Sequence, residues 1–581
     1  MNKILTAILI VLIWGGCANR VPPTGGPKDV KPPELIGSIP KNGNINVRST
    51  EITLLFDELV VTKNIKKELL ITPRIDFDYE YQTKKNTIIL TLEEPLDSAT
   101  TYTFNFRNSI VDITEANPAE NLVLAFSTGS ILDTLQLAGN INDLFTQKPV
   151  ENLVVGLYKA NDSLNLFNSP PYYLAQTDKK GNYLFRNLKP AEYILNAFAD
   201  ANNNIICESE REPYAFTNSS IKLDTTLIAD TLKLQALNID TLELKRARSS
   251  GQYFTAVASK YLTDLTLKAK NDSTIWYTLD KEHKEIKIYN TFKIKDSLLV
   301  ELSMVDSINS HVKDTFYLKF PASERKYDEY KIGQSQLKVF AESKKISFII
   351  NTSKPSHFIS EDSLAITLDS LATIPFDSTW NIAVNATSTE FKFSNTLPQT
   401  YLDSIATTTA TKTEGSKGKL ELKGGEEMKD NNALEGKKEN KKQARSPSNY
   451  SLTIPFASFI SIENDSSKLI ENTLTPLYNK DFGILMGTIT TEHTHYFIQL
   501  LNPKFELIRE ITQADKYKIS HIKPGEYIIR IVLDSNKNGI WDAGNILLNE
   551  LPEPIFIYKN EDGISKTTIR ANGEISLDIT F

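Results

Sequence analysis

The sequence has few of the residues that most often carry covalent or metal chemistry. Its 581 residues include 2 cysteines and 6 histidines. Two cysteines allow at most one disulfide within the chain, so the folded parts must depend on hydrophobic cores of ordinary size. The formal net charge is -7, and lysine and arginine are scattered among the acidic residues. This pattern predicts no basic surface for a nucleic acid.

Long apolar runs are also lacking. The run Ile4–Ile13 has about ten residues, whereas a spanning helix needs roughly 20, and no later run is longer. Lys3 precedes this run, and Gly15-Gly16-Cys17 follow it. The pattern resembles a bacterial lipoprotein signal, which predicts a signal peptide over residues 1–16. The resemblance implies that the Cys17 thiol carries a diacylglycerol. A cleaved secretory peptide and an uncleaved short anchor are the alternatives.

Residues 17–33 are rich in proline and glycine, which predicts an extended tether. Ala18 lacks the aspartate that signals inner-membrane retention in related lipoproteins, and no acidic run follows Cys17. By this resemblance we expect a lipid-anchored protein on the periplasmic face of an outer membrane. If Cys17 carries lipid, Cys207 stands alone, and we interpret it as a small semi-buried residue rather than a reactive thiol.

What the sequence does contain are alternating runs of threonine, isoleucine and valine, bounded by asparagine, aspartate, glycine and proline. Alternation with a period of two is typical of β-strands that bury one face. A chain of this length is expected to form several domains. The predicted fold is all-β, a string of Ig-like and prealbumin-like β-sandwiches behind the signal peptide.

Residues 34–130 resemble the bacterial Ig-like domain first described in S-layer proteins. The resemblance rests on turn and core residues, which are Pro40, Gly43, Phe56-Asp57-Glu58, Thr72-Pro73, Tyr102, Asp112, Asn117 and Phe126-Ser127-Thr128-Gly129. It implies a sandwich fold and no chemistry.

An internal repeat relates residues 134–245 to the C-terminal residues 483–581. The segment 187–204 aligns on 521–538 without a gap, and Tyr183 matches Tyr517. The pattern around Gly181 and Tyr183 resembles prealbumin-like domains of cell-surface proteins and carboxypeptidase tails. The resemblance implies two small sandwiches.

Between the repeats, residues 248–325 predict a further β-sandwich of uncertain type. Residues 333–482 resemble a degenerate second Ig-like domain. Within them, residues 407–447 contain almost no large apolar side chains, which predicts a disordered insertion at a hairpin tip.

The segment Asp534–Asp542 has the sharpest local motif. Oxygen-bearing side chains at Asp534, Asn536, Asn538 and Asp542, with a carbonyl near Ile540, have the spacing with which a loop surrounds calcium. Calcium is the one cofactor that the sequence suggests. Asn545 stands where an EF-hand has its bidentate glutamate. The alternative is an Asx-rich turn in which Gly539 adopts a positive φ.

Two weaker metal candidates accompany this loop. The first is its repeat copy, formed by Asp200, Asn202, Asn204 and Glu208, with Ile205 at the glycine position. The second is the pair His493 and His495, which alternation would place on one face of a strand. No third ligand for the histidine pair can be named.

The domain order resembles Gram-negative lipoproteins with Ig-like domains. We therefore expect a non-catalytic cell-envelope lipoprotein that serves as a scaffold or binding module. The expected partners are the membrane, through the lipid, and an envelope protein or glycan. The alternative is a glycan- or peptide-binding accessory of an outer-membrane complex, and a third reading is a hydrolase with an unrecognised site.

Overall fold

The computed structural model describes residues 29–270, 274–291, 297–334, 338–339, 345–359, 365–368, 372–376, 378–396, 450–474 and 477–581. Its composition is 48% strand and 2% helix, so the all-β prediction is confirmed. The chain divides into two units, Met1–Ala236 and Leu237–Phe581. Within the described ranges, no helix is long and apolar enough to cross a membrane. The predicted signal peptide, Cys17 and the insertion 407–447 lie outside the described residues.

Sandwich 1 forms the first part of unit 1. One sheet has the order β1-β2-β6-β5 and the facing sheet has the order β4-β7-β9, while β3 and β8 form a separate pair. Alternate residues of β2, including Ile52 and Leu54, are buried between the sheets. The elements are β1 (Leu35–Ile39), β2 (Glu51–Phe56), β3 (Val60–Thr62), α1 (Ile65–Glu68), β4 (Leu70–Thr72), β5 (Tyr79–Lys84), β6 (Thr87–Leu92), β7 (Thr101–Asn105), β8 (Ile110–Asp112) and β9 (Val123–Ser127).

Sandwich 2 completes unit 1. In one sheet β10 pairs with β13, β17 and β18, and the other sheet has the order β12-β11-β14-β15 with β16 also on β14. The elements are β10 (Leu135–Asp143), β11 (Val154–Lys159), β12 (Tyr173–Gln176), β13 (Asn182–Leu188), β14 (Ala191–Phe198), β15 (Tyr214–Phe216), β16 (Ile221–Leu223), β17 (Leu227–Ile228) and β18 (Leu232–Leu234).

Sandwich 3 opens unit 2, with sheets in the order β19-β20-β23-β22 and β21-β24-β25. Its core includes Leu242, so it begins before residue 248, and the expected end of the preceding module at residue 245 is too late. The elements are β19 (Leu244–Ser250), β20 (Tyr253–Ala258), β21 (Leu262–Ala269), β22 (Tyr277–Leu279), β23 (Glu285–Ile288), β24 (Leu298–Asp306) and β25 (His311–Leu318).

Sandwich 4 follows with the sheets β26-β28-β33-β32 and β31-β30-β34-β36, while β27 also pairs with β28 and β29 pairs with β35. The elements are β26 (Ile332–Gln334), β27 (Lys338–Val339), β28 (Lys345–Thr352), β29 (Ser356–Phe358), β30 (Ala365–Leu368), β31 (Ala372–Pro375), β32 (Asn381–Val384), β33 (Glu390–Thr396), β34 (Tyr450–Ile454), β35 (Phe459–Ser461) and β36 (Ile470–Leu474).

Sandwich 5 ends the chain. In one sheet β37 pairs with β40, β44 and β45, and the other has the order β39-β38-β41-β42 with β43 also on β41. The strands are β37 (Gly483–Thr490), β38 (Tyr496–Leu501), β39 (Leu507–Thr512), β40 (Lys516–Ile522), β41 (Gly525–Leu533), β42 (Ile555–Ile557), β43 (Lys566–Ile569), β44 (Glu574–Ser576) and β45 (Ile579–Thr580), and short 3-10 helices cover Asn479–Asp481 and Ile546–Leu548.

Sandwiches 1 and 4 share a strand order. The sheet β1-β2-β6-β5 corresponds to β26-β28-β33-β32, and the pair β3-β8 corresponds to β29-β35. Residues 397–449 connect β33 to β34, which belong to different sheets. The prediction that the insertion interrupts a hairpin tip is therefore wrong, because its flanking strands are joined across the sandwich.

Sandwiches 2 and 5 also share a strand order, as the internal repeat predicts. In each, the first strand pairs in parallel with two late strands, β10 with β17 and β18, and β37 with β44 and β45. The repeat tyrosines Tyr193 and Tyr527 each donate a hydrogen bond to the carbonyl four residues earlier, at 2.9 and 2.7 Å. Equivalent residues therefore hold equivalent bends.

Asp112 shows how a buried carboxylate fixes a turn in sandwich 1. It is 2% exposed. Its Oδ1 accepts the backbone N–H groups of Glu115 and Ala116 at 2.7 and 2.9 Å, and its Oδ2 accepts that of Asn117 at 3.0 Å. Burial alone raises the pKa of this carboxyl, but the N–H donors hold its pKa below the ordinary value.

We predict that Asp112→Asn lowers the thermal stability of the full chain at pH 7 by a few degrees, because an amide nitrogen cannot accept an N–H group. A carboxyl with a lowered folded-state pKa stabilises above its unfolded pKa of about 3.9 and loses this effect as the pH falls through the folded-state pKa. The difference between variant and unmutated protein should therefore shrink below pH 4. Calorimetry across this range checks it, with the exposed Glu120→Gln as control. A difference that persists in acid contradicts it.

Candidate functional site

The candidate site consists of two equivalent loops, one in each repeat sandwich. Each loop directly follows a long central strand, which is β14 in sandwich 2 and β41 in sandwich 5. We call residues 534–553 the C-terminal loop and residues 200–212 its repeat copy. Because the two strands occupy the same place in the same topology, the loops start from matching points of the fold.

In the C-terminal loop, Asp534 is 5% exposed and organises the turn. Its Oδ1 accepts the N–H of Asn538 at 3.0 Å, and its Oδ2 accepts the N–H of Gly539 at 3.0 Å. Gly539 has φ +84°, and a Cβ added there would meet no atom within 4 Å, so the backbone conformation alone favours glycine. The positive φ predicted for this glycine is confirmed.

The remaining motif side chains bond to one another. Asp542 Oδ2 accepts the amide Nδ2 groups of Asn536 and Asn538 at 2.6 and 2.7 Å. The side-chain oxygens of these two asparagines accept the N–H groups of Asn538 and Ile540 at 3.1 and 2.9 Å. Every side chain that the sequence proposed as a calcium ligand thus has a role in the turn.

The repeat copy uses the same bonds. Asp200 accepts the N–H groups of Asn204 and Ile205, both at 3.1 Å, and Glu208 accepts the Nδ2 group of Asn202 at 2.9 Å. Ile205 has φ +61°, a conformation that a β-branched residue rarely adopts. The loop conformation therefore persists where the glycine is absent.

Each loop also contains a buried glutamate that the sequence motif does not include. Glu553 is 7% exposed, and its carboxylate accepts the N–H groups of Ser535 and Asp542, the second at 3.0 Å. Glu212 is 3% exposed and accepts the N–H groups of Ala201 and Glu208 at 2.8 and 2.9 Å. Each glutamate precedes a proline and the next strand, a shared signal that lay outside the motif because the two loops differ in length.

The hydrogen bonds within the two loops involve the same side chains that the sequence proposed as calcium ligands. Three or more acidic, histidine or cysteine side chains that could hold a metal ion do not converge anywhere in the described ranges. Each oxygen of Asp534 accepts one hydrogen bond and Asp542 Oδ2 accepts two, so the lone pairs left for a cation lie on Asp534 and on Asp542 Oδ1. The Asx-turn alternative accounts for the whole loop, and calcium binding stays a prediction. Asn545 instead caps the following 3-10 helix by accepting the N–H of Leu547.

The histidine pair is placed differently from the expectation. His493 and His495 precede β38 and do not lie in a strand. The ring of His493 stacks on Phe581 with an interplanar angle of 9°, and His495 Nδ1 lies 3.0 Å from Thr494 Oγ1. The prediction of two imidazoles on one strand face is wrong, because β38 begins only at Tyr496 and both histidines lie in the connection between β37 and β38.

Cys207 lies in the repeat copy and is fully buried rather than semi-buried, with 3% exposure. Burial raises the pKa of its thiol to about 12. A thiol that stays protonated at neutral pH is a poor nucleophile, which supports the interpretation of Cys207 as a packing residue.

Unit 1 contains a cleft of about 790 Å³ between sandwiches 1 and 2. The basic side chains Lys66, Lys67 and Arg107 line it together with Ile205 and Asp200 from the repeat copy. An adjoining cleft of about 390 Å³ shares Lys66 and Ile205. The volume of this groove falls within the range of small-molecule sites.

Residues 29–128 match the family model described as a bacterial Ig-like domain. This range coincides with sandwich 1, so sandwich 1 matches the bacterial Ig-like family over its whole length. The comparison with curated proteins finds no match.

Several solved structures resemble the chain at low identity. The major pilin subunit BcpA of Bacillus cereus is 11% identical over 78% of this chain and 99% of the pilin, with a TM-score of 0.12. The S-layer protein SbsC is 11% identical over 91% of this chain and 67% of its own, with a TM-score of 0.14. The human desmocollin-1 ectodomain is 11% identical over 78% and 80%, with a TM-score of 0.11. TM-scores of this size do not establish a shared overall arrangement.

We predict that Glu553→Gln destabilises the C-terminal loop by about 1–3 kcal/mol, because the new amide nitrogen leaves a buried N–H donor without an acceptor. Hydrogen exchange of the full chain should show faster exchange in peptides covering 534–557 and unchanged exchange in sandwich 1. The exposed Glu550→Gln is the matched control and should behave like the unmutated protein. Equal protection in both variants contradicts the role of Glu553.

The calcium prediction has its own test. Millimolar calcium should raise the melting temperature of sandwich 5, because a ligand that binds only the folded state stabilises it. It should also change the fluorescence of Trp541, whose indole donates to the Glu553 carbonyl at 3.1 Å. Asp534→Ala should abolish both responses. If neither signal of the unmutated protein responds to calcium, the loop is a turn without a cation.

Proposed function

We propose that this chain is a non-catalytic scaffold of the cell envelope, anchored by lipid on Cys17 and built as a string of β-sandwiches. The observation that carries the proposal is that side chains fasten neighbouring sandwiches inside each unit. Multidomain chains move about their linkers unless the contacts between domains are specific. A scaffold needs fixed spacing, so fastened junctions support this function.

Arg107 fastens the junction in unit 1. Its guanidinium donates to the backbone carbonyls of Glu68 at 2.6 Å and Lys67 at 2.8 Å, and to the side-chain oxygen of Gln176 in sandwich 2. Close by, the N–H of Arg74 donates to the carbonyl of Tyr172 at 3.0 Å. The planar, permanently charged guanidinium suits such a multiple contact.

Unit 2 has fastened junctions as well. The hydroxyl of Tyr253 in sandwich 3 accepts the N–H of Asp328 at 2.8 Å and lies 3.5 Å from the carboxylate of Glu463 in sandwich 4. The amide of Asn309 donates to Asp542 Oδ1 at 2.8 Å, which joins sandwich 3 to the C-terminal loop. One role of that loop is therefore to hold a neighbouring sandwich.

The proposed lipid anchor is consistent with a location in the cell envelope. The signal-like segment ending at Cys17 resembles a lipoprotein signal, and the Ig-like family of sandwich 1 is bacterial. Acyl chains on one cysteine would hold the protein at a membrane surface without a spanning helix. We place the protein at the outer membrane, facing the periplasm.

One observation favours the second candidate, a glycan- or peptide-binding accessory. The cleft between sandwiches 1 and 2 combines basic side chains with apolar Leu70 and Leu174. A glycan array with the lipid-free ectodomain decides between the two functions, since a pure scaffold gives no specific signal. A signal that disappears when Lys67 is changed to Glu favours the accessory.

We predict that Cys17→Ser abolishes labelling by an alkyne fatty acid and moves the protein out of the detergent phase in Triton X-114 partition, because the lipid supplies the membrane affinity. Cys207→Ser is the matched control and should keep both properties, since the Cys207 thiol is buried. Label on the Cys17→Ser protein, or its absence from the unmutated protein, contradicts the anchor.

A further inference from the structure

A lysine and two carboxylates converge at the end of sandwich 4. Lys354 Nζ lies 2.6 Å from Glu463 Oε2 and 2.6 Å from Asp465 Oδ2. The lysine side chain is 1% exposed, that of Glu463 is 7% exposed, and that of Asp465 is 37% exposed. Lys354 precedes β29, and both acids follow β35, which pairs with β29. The sheet pairing therefore brings together residues that are far apart in the sequence.

The two acids differ in environment. Burial raises the pKa of Glu463, and its Oε1 has no hydrogen-bond partner among the described residues. Asp465 Oδ2 also accepts the hydroxyl of Ser461 at 3.0 Å. Burial opposes the charge on Lys354, while the two carboxylates hold the lysine pKa above its ordinary value. The resting cluster thus contains an ammonium, one carboxylate polarised by a hydroxyl, and one acid that is easily protonated.

We propose that Lys354 and Asp465 form an intramolecular amide cross-link, with Glu463 as the proton carrier. The ammonium first passes one proton to Glu463. The neutral amine then attacks the carboxyl carbon of Asp465, and a C–N bond forms. Glu463 returns its proton to the departing oxygen, which takes the second amine proton and leaves as water. One amide and one water replace the Lys354 ammonium and the Asp465 carboxylate, Glu463 is regenerated, and no oxidant or reductant is needed.

The geometry selects Asp465 as the acyl group. The Ser461 hydroxyl can stabilise charge that develops on the Asp465 oxygen during attack. Asp465 is also the more exposed of the two acids, which gives the water a path to solvent. Glu463 is almost enclosed and lies 3.5 Å from the Tyr253 hydroxyl, a setting that favours its neutral form and suits proton transfer.

The position of the cluster in the sequence indicates that the cross-link would stabilise sandwich 4. Residues 397–449 lie between Lys354 and Asp465 in the sequence. A covalent bond between these side chains would join the two parts of sandwich 4 directly and close the loop that contains the insertion. Closing a long loop restricts the unfolded chain and so stabilises the folded one.

A second buried pair provides an internal control. Lys260 Nζ lies 2.5 Å from Asp306 Oδ2, with the side chains 3% and 0% exposed. Asp306 Oδ1 accepts the N–H groups of Ile308 and Ser310 at 3.0 and 2.8 Å, so this carboxylate is held in place by its own turn. This pair has the ion-pair geometry without a partner acid such as Glu463, so we expect it to remain an ion pair.

The test inserts a site for a specific protease between residues 420 and 421 of the full chain. After cleavage and denaturation, the two fragments should stay joined on a gel. Peptide mass spectrometry should find the Lys354 and Asp465 peptides linked, with a mass lower than their sum by one water. Lys354→Arg should release the fragments, and Glu463→Gln should reduce the linked fraction. Lys260→Arg should leave the link intact.

Separation of the fragments of the otherwise unmutated chain overturns the proposal, as does finding the Lys354 peptide at its unlinked mass. A link mapped to Glu463, or to Lys260 and Asp306, also overturns it. The measurement on the unmutated chain is decisive even if a variant folds poorly.

Discussion

Buried carboxylates that accept backbone N–H groups are the interaction on which the ends of these sandwiches depend. Strands satisfy their own backbone groups, but the connections between them must find other acceptors, since an unpaired buried N–H is costly. Asp112, Asp306 and Glu553 each accept two or more N–H groups. These acids are committed to structure, which explains why buried acids in this chain need not indicate catalysis.

The two repeat loops show how one framework is adjusted to different surroundings. Gly539 relaxes the C-terminal loop, whereas Ile205 occupies the same left-handed position and is half-buried beside the cleft. Backbone strain of this kind costs about 1–3 kcal/mol, and burying an isoleucine side chain recovers about 1.5–3 kcal/mol when burial is complete. Ile205 is half-buried, so its burial offsets only part of this strain.

Sequence periodicity predicted the fold class and the repeat because both depend on local patterns, alternation along β2 and the matching bends at Tyr193 and Tyr527. Periodicity did not predict the roles of Glu212 and Glu553, because their hydrogen-bond partners are backbone N–H groups that come close only when each loop folds back on itself. It placed the histidine pair on a strand because alternation by itself does not fix where β38 begins. Contacts that cross a loop or a sandwich leave no periodic signal.

The comparison of sandwiches 1 and 4 extends this reasoning to the lysine cluster. The pairing of Val60 with Asp112 corresponds to that of Ser356 with Ser461, so Glu58 and Lys354 occupy equivalent positions. In sandwich 1, one aspartate caps its own turn. In sandwich 4, Ser461 stands in the place of Asp112. Asp465 is therefore available to Lys354. Ser461 thus replaces the capping Asp112, and Lys354 replaces Glu58. These two differences turn a local turn in sandwich 1 into a contact between distant segments in sandwich 4. In sandwich 4, residues 397–449 lie in the sequence between β33 of one sheet and β34 of the other. A contact between Lys354 and Asp465 therefore closes a long segment of the chain.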